Sequence, residues 1–536
     1  MKRVERAIVS VHDKTGLVAL GLGLDALGIE IVSTGGTARM LREGGVHVRE
    51  VAEVTGFPEM LDGRVKALHP HIHGGILARR DRPEHLAALA THGIPSLDLV
   101  VVSMYPFEAT VVKSDVTLEE ATEQIDIGGA AMVRSAAKNH ASVGVVVDPS
   151  QYPDLLRELH ASAGGLSDVT RARLAAEAFR RTANYDAAVA RFLESRLIPS
   201  DPSPDVGDAK AVGALTEPFP ARLRIEVDRL IPLRYGENPH QAAAFYAMEN
   251  RSPGLRAMRQ LAGAAVGYNN LLDVSAARGL LLEFDAPAAV FVKHTNPCGA
   301  ALGTDIETAL AKARACDPVS IYGGIVGVNR PIDLAAVRQL AGVFLEVLFA
   351  PRFTADALAE LQRTRKKCRV LELPCDPAAR TDEFEIRSVA GGLLVQTPDR
   401  QHLAACELRT VTRREPSAEE VAALSFAWRV AKHVKSNAIV LASRNQVIGV
   451  GAGQMNRVDA ARFAIDRARR VGHSPAGSVC ASDAFFPFRD GLDALAEAGV
   501  TAVIQSGGSV RDDEAIAAAD ERGIAMIFTG SRHLRH

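Results

Sequence analysis

The chain has 536 residues, of which 47% are hydrophobic and 24% charged, and its formal net charge is −2. This composition is typical of a globular protein and excludes disordered and collagen-like chains. The near-neutral charge argues against a dedicated nucleic-acid or membrane-surface protein, although small anionic substrates need only a few well-placed cations. A single hydrophobic core stops growing at roughly 250–300 residues, so the length predicts two or more domains.

Targeting signals and disulfides are not indicated by the sequence. No apolar run approaches the roughly 18 residues of a membrane helix, and no signal-peptide core follows the charged start of the chain. We therefore expect a cytoplasmic protein. The six cysteines include no C-x-x-C pair, which argues against a disulfide scaffold and a structural zinc site.

The first segment alternates apolar runs with stretches of helical periodicity, which predicts a mostly parallel sheet covered by helices. In chain order, the predicted elements are a strand at 7–11, a helix at 17–27, a strand at 30–32, a helix ending near 43, strands at 97–102 and 143–147, and a helix at 166–197. A cluster of Pro, Ser and Asp at 199–205 has the composition of a linker, and we place the domain boundary there.

The second segment also alternates strands and helices, and it contains no strong internal sequence repeat. Strands are predicted at 288–292, 320–328, 345–349, 437–442, 447–450, 502–505 and 525–528. Helices are predicted at 274–283, 418–434 and 457–470.

One loop of the first segment has the composition of an anion site. It follows the predicted strand at 30–32 and consists of Ser33, Thr34, Gly35, Gly36 and Thr37. The glycines let backbone N–H groups approach a phosphate, and the helix that follows adds a favourable dipole. The alternative is a simple strand-to-helix turn, which short glycine motifs often are.

A second loop places Arg64 and Lys66 two residues apart, so both point the same way on an extended segment. Two such cations suit a phosphate or a polarised oxygen, although a solvated basic loop is the commoner case. His69, His71 and His73 alternate just beyond it. Without a carboxylate or cysteine companion, they are weak candidates for metal ligands.

A third loop places Asp126 just before Gly128 and Gly129, at the start of a predicted helix that carries Lys138. A carboxylate in this position is often only an N-cap. With Lys138 it also forms a plausible acid/base pair, whose mutual attraction would keep both groups ionised.

Polar clusters recur in the second segment, at 234–241, 293–299 and 322–324, and in a group formed by 435–437, 449–454 and 457. Ligand sites of α/β folds lie at the carboxyl ends of strands, so Lys293 and His294 are acid/base candidates. The alternative is that both are ordinary polar residues at a strand end, with their hydrogen bonds satisfied. Three phenylalanines at 485–488 suggest an aromatic wall for a planar ring, or else ordinary core. Cys298 lacks a nearby orienting group, and the zinc-deaminase signature is absent, which disfavours a zinc-dependent deaminase.

Taken in order along the chain, these motifs resemble one family, the bifunctional AICAR transformylase/IMP cyclohydrolase of purine biosynthesis. The resemblance covers essentially the whole chain. The stretches that carry it lie at 13–16, 33–37, 56–60, 63–66, 105–107, 124–129, 136–140, 234–241, 293–299, 449–454, 482–490 and 532.

The resemblance implies a fold and two reactions. Residues 1–198 would form a cyclohydrolase domain with a methylglyoxal-synthase-like α/β fold, and residues 199–536 a transformylase region of two cytidine-deaminase-like α/β units without zinc. The transformylase would move a formyl group from its cosubstrate 10-formyltetrahydrofolate to the amine of the ribonucleotide AICAR. The cyclohydrolase would then close formyl-AICAR to IMP with loss of water.

The resemblance further implies partners. The family acts on small-molecule substrates as a homodimer, with the transformylase site shared between subunits. It implies no catalytic metal, no nucleic acid and no membrane partner.

The resemblance also implies residue roles in the cyclohydrolase. The substrate phosphate would be held by Ser33, Thr34, Gly35, Gly36, Thr37 and Arg64. The residues that would polarise the formyl oxygen and move protons are Lys66, Tyr105, Asp126 and Lys138.

In the transformylase, the resemblance implies that His294 accepts the proton of the attacking amine and that Lys293 supports it and stabilises developing charge. The remaining residues would contact the nucleotide, its base or the folate, and they are Arg234, Tyr235, Gly323, Glu346, Asn437, Arg457, Phe485, Pro487 and Arg532.

Three positions of the first segment depart from the family pattern: His12 stands where Ser is common, Ala67 where Thr is usual and Ser103 where Asn is usual. Ala67 lacks a hydroxyl donor, a loss that can cost about 1 kcal/mol or more in a site. All three departures fall in the cyclohydrolase half. An alternative is therefore a monofunctional transformylase whose N-terminal domain binds a nucleotide but has lost cyclohydrolase activity.

Overall fold

The structure of the chain is a computed structural model. The residues that it describes are 1–58, 60–61, 65, 67–113, 115–197, 219, 222–248, 253–376 and 384–536. The chain divides into two compact units, Met1–Thr216 and Glu217–His536. The linker expected at 199–205 lies outside the described residues.

The first unit alternates strands and helices. Its strands are β1 (Lys2–Arg3), β2 (Arg6–Val11), β3 (Glu30–Ser33), β4 (Val48–Glu50), β5 (Leu99–Ser103), β6 (Gly144–Val146) and β7 (Gly165–Leu166). Its helices are α1 (Leu17–Ala26), α2 (Gly35–Glu43), α3 (Val51–Thr55), α4 (Pro70–Leu77), α5 (Pro83–Thr91), α6 (Phe107–Val111), α7 (Leu118–Glu123), α8 (Gly128–Lys138), α9 (Tyr152–Ala161) and α10 (Asp168–Leu197).

A five-stranded parallel sheet forms the centre of the first unit, in the order β4-β3-β2-β5-β6. Strand β5 reads Leu-Val-Val-Val-Ser and is buried along its length up to the half-buried Ser103. A continuous apolar run is typical of a parallel strand covered by helices. Helices α8 and α10 pack against each other, α8 contacts β5 and β6, and α10 contacts β6. The predicted α/β architecture is confirmed.

The second unit is larger. Its strands are β8 (Asp228–Leu233), β9 (Ala243–Ala247), β10 (Arg259–Ala262), β11 (Ala288–Lys293), β12 (Asn296–Leu302), β13 (Gly324–Val328), β14 (Leu345–Ala350), β15 (Arg369–Glu372), β16 (Glu385–Val389), β17 (Gly392–Gln396), β18 (Arg409–Thr410), β19 (Ile439–Ser443), β20 (Gln446–Gly451), β21 (Val479–Ser482), β22 (Ala502–Gln505) and β23 (Ala525–Phe528). Its helices are α11 (Tyr268–Leu281), α12 (Ile306–Cys316), α13 (Leu334–Arg338), α14 (Ala355–Thr364), α15 (Ala418–Ala431), α16 (Arg457–Arg470), α17 (Asp490–Glu497) and α18 (Asp512–Glu521).

Twelve strands of this unit form one sheet, in the order β10-β15-β14-β13-β11-β12-β20-β19-β21-β22-β23-β18. The order is palindromic about the β12–β20 pair. Outward from that pair, each side has the two strands of a hairpin, then three crossover strands, and last an edge strand. Helices α11 and α15 begin 150 residues apart, as do the edge strands β10 and β18. The unit is therefore an internal structural repeat. The resemblance implied two like α/β units here, although no internal sequence repeat indicated them.

In each half of the repeat, a helix packs closely on the hairpin: α12 on β11–β12 and α16 on β19–β20. A Cβ on Gly299 of β12 would come within 2.4 Å of the Ala313 carbonyl of α12. A Cβ on Gly449 of β20 would come within 2.3 Å of the Ala464 carbonyl of α16. Both positions therefore require glycine for the same steric reason, although the two sequences share little else.

Some predicted boundaries shift in the structure. The strand predicted at 320–328 begins only at Gly324, so Tyr322 and Gly323 belong to the preceding loop. The helix predicted at 274–283 begins at Tyr268, because the Asn270 side chain accepts a hydrogen bond from the Gly267 N–H and so caps a polar first turn. In the part of the chain that the structure describes, no helix has both the length and the hydropathy needed to cross a membrane.

Candidate functional site

A cavity of about 620 Å³ opens in the first unit at the carboxyl ends of its parallel strands. Strands β2, β3 and β5 end here, at Val11, Ser33 and Ser103. The loops that follow them supply lining residues, among them Lys14, Thr34 and Tyr105. This is the edge of an α/β sheet where ligands bind.

Lys14 and the first turn of α2 form one wall. The Lys14 ammonium donates to Thr37 Oγ1 at 3.0 Å and to the Val11 carbonyl. Burial lowers the pKa of Lys14 from its ordinary value. The first N–H groups of α2, which follow the extended N-cap Thr34, have no partner within the helix and can bind an anion.

Only part of the Ser33–Thr37 segment, whose last three residues begin α2, lines the cavity. Thr34, Gly36 and Thr37 line the cavity. Ser33 is fully buried and its hydroxyl donates to the Val9 carbonyl at 2.6 Å, so it braces β3 against β2. Gly35 has φ of 49°, a left-handed conformation that glycine adopts without strain.

Asp126 forms the opposite wall of the cavity. Its Oδ1 accepts the Gly129 N–H at 2.7 Å, and its own N–H donates to the Tyr185 hydroxyl at 2.7 Å. Burial raises the pKa of this carboxyl against the lowering effect of hydrogen bonds from the Gly129 and Tyr105 backbone. A carboxyl held in this way is suited to accept and return a proton.

The three departures from the family pattern all line this cavity. The Asp13 N–H donates to Ser103 Oγ at 2.9 Å and the His12 N–H to the Ser103 carbonyl at 3.1 Å, so Ser103 ties the β2 loop to β5. The rings of His12 and Tyr105 meet edge to face at 5.7 Å. Ala67 is buried at 8% exposure and contributes only a methyl group to the wall.

Lys138, a predicted cyclohydrolase residue, does not line this cavity. Lys138 is exposed at the last position of α8, so about 15 Å of helix separate it from the Asp126 end. The acid/base pair that we expected between Asp126 and Lys138 is not formed in the structure. Arg64 and Lys66 lie outside the described residues.

A second site surrounds the tight turn between β11 and β12 in the second unit. His294 and Thr295 adopt left-handed φ angles of 54° and 61°. Asp273 of α11 fastens the turn, because its Oδ1 accepts the Thr295 N–H at 2.6 Å. Burial raises the pKa of Asp273, while the nearby His294 opposes the rise. The turn leaves the His294 side chain exposed.

Lys293 connects this turn to neighbouring strands. Its ammonium donates to the Tyr322 carbonyl at 2.8 Å. The Gly323 N–H donates to the Phe344 carbonyl at 2.8 Å, and Gly323 has a left-handed φ of 71°. Glu346, near the start of β14, accepts from Asn270 Nδ2 at 2.9 Å. Lys293, Gly323 and Glu346 are thus brought to one edge of the sheet.

A hydrogen-bonded chain leads from the turn to a further group of predicted residues. Asn296 Oδ1 accepts the Lys435 N–H at 2.9 Å. Lys435 lies two residues before Asn437 in the chain. Asn437 Oδ1 accepts from Arg457 Nη2 at 2.9 Å. Arg457 is buried and forms an ion pair of 2.5 Å with Asp483. The Arg457 guanidinium therefore already has a carboxylate partner, and it holds Asn437 in place.

The aromatic segment and the end of the chain lie beside Asp483. Phe485 and Pro487 are half-buried, whereas Phe486 between them is in the core at 1% exposure. Arg532 is exposed, and the N–H of the next residue, His533, donates to the Asp483 carbonyl at 2.9 Å. The predicted aromatic wall is therefore part surface and part core.

Arg234 and Tyr235 are exposed at the end of β8, with the guanidinium 5.8 Å from the tyrosine ring centroid. The Glu237 carbonyl, two residues on, accepts from Asn269 Nδ2 at 3.2 Å. This contact ties the loop to the first turn of α11, which also carries Asn270.

The contacts of His69, His71, His73 and Cys298 serve the fold. His69 caps α4, and the ring Nδ1 atoms of His71 and His73 contact the Val54 carbonyl and Ser135 Oγ. Among the described residues, no three His, Cys, Asp or Glu side chains are grouped to hold a metal. Burial raises the pKa of Cys298 to about 12, so its thiol is poorly suited to be a nucleophile.

Three residues that hold the sites were missed from the sequence: Lys14, Asp273 and Asn270. Lys14 could have been found from its position just after a predicted strand. Asp273 and Asn270 lie in a helix whose first turn is polar, and only the tertiary fold brings them to the β11–β12 turn and to Glu346.

Comparison with known proteins identifies the family of the chain. An MGS-like domain matches residues 16–131, and the AICARFT/IMPCHase bienzyme family matches residues 136–467. A solved structure described as "Crystal structure of ForH" is 37% identical and covers 35% of this chain and 99% of its own, at a TM-score of 0.32; that score is too low for a structural argument. The bienzyme model spans more than half of the chain, which therefore belongs to the AICARFT/IMPCHase bienzyme family.

Proposed function

We propose that the chain catalyses the last two steps of IMP synthesis: formyl transfer from 10-formyltetrahydrofolate to AICAR, then ring closure of formyl-AICAR to IMP. Family membership supports the bifunctional role. The observation that carries ring closure in this chain is the first cavity, which Asp126, Lys14 and Tyr105 line together with the first turn of α2. We assign the cyclohydrolase to residues 1–198 and the transformylase to residues 199–536.

In ring closure, the carboxamide nitrogen of formyl-AICAR attacks the formyl carbon and water leaves. The substrate phosphate binds at the first turn of α2, beside Thr34 and Thr37, with Arg64 as a further cation. Asp126 takes the proton from the attacking nitrogen, a role that its raised pKa favours. Tyr105 and Lys66 polarise the formyl oxygen, and Lys138 remains a candidate from the resemblance alone.

In formyl transfer, the AICAR amine attacks the formyl carbon of the folate. His294 accepts the amine proton, and Lys293 stabilises the oxyanion that forms. Asp273 holds the turn on which both residues stand. Arg234, Tyr235, Asn437 and Arg532 bind the nucleotide, with Arg457 acting through Asn437. Gly323, Glu346, Phe485 and Pro487 contact the base or the folate.

A paired assay tests the proposal. Purified protein is given AICAR and 10-formyltetrahydrofolate, and both formyl-AICAR and IMP are quantified over time. The proposal expects IMP to form without lasting accumulation of formyl-AICAR. Accumulation of formyl-AICAR with IMP only at the uncatalysed rate would instead support a monofunctional transformylase. No folate turnover would overturn the proposal.

The departures at positions 12, 67 and 103 are the reason for keeping that alternative. Asp126→Asn separates the two cases, because it removes the proton acceptor while preserving the shape of the side chain. Catalysis in the cavity predicts a large loss of ring closure from supplied formyl-AICAR, whereas a module that only binds predicts no change. The homodimer with a shared transformylase site remains a proposal from the resemblance.

A further inference from the structure

The loop after strand β2 directs two of its side chains to different parts of the first cavity. Lys14 contacts Thr37 in the first turn of α2, which is the part proposed for the substrate phosphate. His12 also lines the cavity, but its ring lies 5.7 Å from the ring of Tyr105, edge to face with it. The His12 side chain is therefore beside the group proposed to polarise the formyl oxygen, and not beside the phosphate.

His12 and Asp126 are both neighbours of Tyr105. Burial raises the pKa of the Asp126 carboxyl, and the smaller opposing effects include a hydrogen bond from the Tyr105 backbone and the positive charge of His12. The charge of the imidazole is therefore felt at the carboxyl that is proposed to accept a proton. This part of the cavity combines a carboxyl suited to accept a proton with an imidazole suited to donate one.

The backbone of His12 is fixed, whereas its ring remains available to a ligand. The His12 N–H donates to the Ser103 carbonyl at 3.1 Å, and the next N–H, that of Asp13, donates to Ser103 Oγ at 2.9 Å. The ring itself is exposed, and none of the residues that the structure describes forms a hydrogen bond with it. An imidazole held in this way can exchange a proton with a bound substrate.

The three departures from the family pattern change the chemistry of this lining together. Ala67 and Ser103 are shorter than the usual Thr and Asn, so the lining lacks one hydroxyl and one amide. His12 is longer than the common Ser and brings an imidazole into the same cavity. Two uncharged hydrogen-bonding groups are thus absent where one group that can carry a proton is present. This exchange favours altered acid/base chemistry over a cavity that has only lost groups.

We propose that His12 is a further catalytic residue of ring closure, which protonates the formyl oxygen while Asp126 takes the proton of the attacking nitrogen. The inference rests on the proposed cyclohydrolase activity. In the first step, the carboxamide nitrogen bonds to the formyl carbon, its proton goes to Asp126, and the His12 imidazolium turns the formyl oxygen into a hydroxyl.

In the second step, the bond between the carbon and this hydroxyl breaks. The hydroxyl takes the proton from Asp126 and leaves as water, and the former formamide N–H gives its proton to His12. Two protons have then moved from two nitrogens to one oxygen, and both side chains return to their starting charge. The reaction therefore needs no further reactant.

Ring closure from supplied formyl-AICAR is measured in His12→Gln and His12→Ser. Glutamine keeps a hydrogen-bonding side chain but cannot transfer a proton, and serine restores the residue that is common in the family. Both variants are expected to lower kcat about 10²-fold with little change in KM. His92→Ser is the matched control, because His92 is exposed in the same unit and does not line the cavity. The affinity for IMP, measured by calorimetry, should be retained in all three variants.

The pH–rate profile separates proton transfer from a structural role. The unchanged protein needs an ionised Asp126 and a protonated His12, so kcat falls in acid and again as the imidazolium loses its proton. In His12→Gln the loss on the alkaline side should disappear, while the acid limb of Asp126 remains. The variant leaves in place the other titratable groups around the ring, which are Asp13, Lys14, Tyr105, Glu123 and Asp126.

Three results would overturn the role of His12. The first is a kcat of both variants within about twofold of the unchanged protein, or a faster His12→Ser. The second is a slower variant whose pH–rate profile keeps its shape, because the loss would then be structural. The third is an unchanged protein that forms no IMP from formyl-AICAR, in which case the proposed cyclohydrolase fails as well. The first two results require turnover by the unchanged protein, so they leave the proposed function standing.

Discussion

Gly129 shows how a single residue type shapes the first cavity. A Cβ at this position would come within 2.4 Å of Asp126 Oδ2, a distance that side-chain carbons do not adopt. The glycine therefore lets the carboxylate fold back onto the first N–H groups of α8, where it accepts the Gly129 N–H. The neighbouring Gly128 has open space around its missing Cβ.

Gly129→Ala is expected to displace the Asp126 carboxylate and slow ring closure at least tenfold, because small misplacements of a reacting group are costly. The measurement is IMP formation from supplied formyl-AICAR. Gly128→Ala is the matched control on the same helix turn and should leave the rate within about twofold. Equal effects of the two substitutions would show that Gly129 is not needed for the geometry of Asp126.

His294→Ala is expected to reduce formyl transfer by about 10²-fold or more, because the attacking amine loses its proton acceptor. The two half-reactions are assayed separately on the same preparation. Ring closure should be unchanged, since His294 belongs to the second unit. A parallel loss of both activities would indicate misfolding and count against the assigned role.

At the scale of elements, α15 is anchored at its start by charge as well as by capping. Ser417 and Glu420 form a capping box, and Arg414 makes two hydrogen bonds to the Glu420 carboxylate, at 2.8 and 3.0 Å. The Arg414 guanidinium is the main cause that lowers the pKa of Glu420 to about 2. The helix carries Trp428, the single tryptophan of the chain, which is buried at 2% exposure.

Glu420→Gln keeps the capping geometry but removes the charge, so it should lower the free energy of unfolding by about 1–2 kcal/mol at neutral pH, after allowance for solvent screening. Because the folded-state pKa of Glu420 lies below its ordinary 4.5, this contribution is complete above about pH 5 and is lost as the pH falls towards 2. Urea unfolding followed by Trp428 fluorescence measures it. A difference between the two proteins that does not shrink in acid would contradict the ion pair as its cause.

Prediction from sequence succeeded for helices and strands whose hydrophobic pattern lies within the element itself. The strands at 502–505 and 525–528 and the helix at 457–470 agree with β22, β23 and α16. Strand β12 was missed because Asn296, Pro297 and Gly299 are poor strand formers, and only the packing of α12 explains its glycine. The predicted Asp126–Lys138 pair is not formed because Asp126 precedes the eleven-residue helix α8 and Lys138 is its last residue.

At the scale of the whole second unit, the two halves of the repeat differ where they hold the site. Asp483 follows β21, and its N–H donates to the Ala438 carbonyl at 3.3 Å. Asn329 follows β13 in the other half, and its N–H donates to the Ala288 carbonyl at the same distance. Among the described residues, the Asn329 side chain hydrogen-bonds only to backbone groups, whereas the Asp483 side chain pairs with Arg457 and Ser436. The fold therefore does not require a carboxylate at this position.

Asp483→Asn is expected to destabilise the second unit by about 3–5 kcal/mol, because it leaves the buried Arg457 without its counter-charge. Adding Arg457→Leu should restore most of the stability, measured by urea unfolding with Trp428 fluorescence. Formyl transfer should remain impaired in the double variant, because Asn437 has lost the group that holds it. Recovery of activity together with stability would show that the pair serves the fold alone.

The palindromic sheet also has a consequence for the ancestry of the second unit. Cut between β12 and β20, each half would be a complete small α/β domain with one long unpaired edge strand. Such an edge tends to pair with another copy. The twelve-stranded sheet has the form that two half-size chains would take on meeting edge to edge, and duplication and fusion of such a chain would explain its symmetry. The two halves differ at the turn, because Arg444 occupies the left-handed position that corresponds to His294.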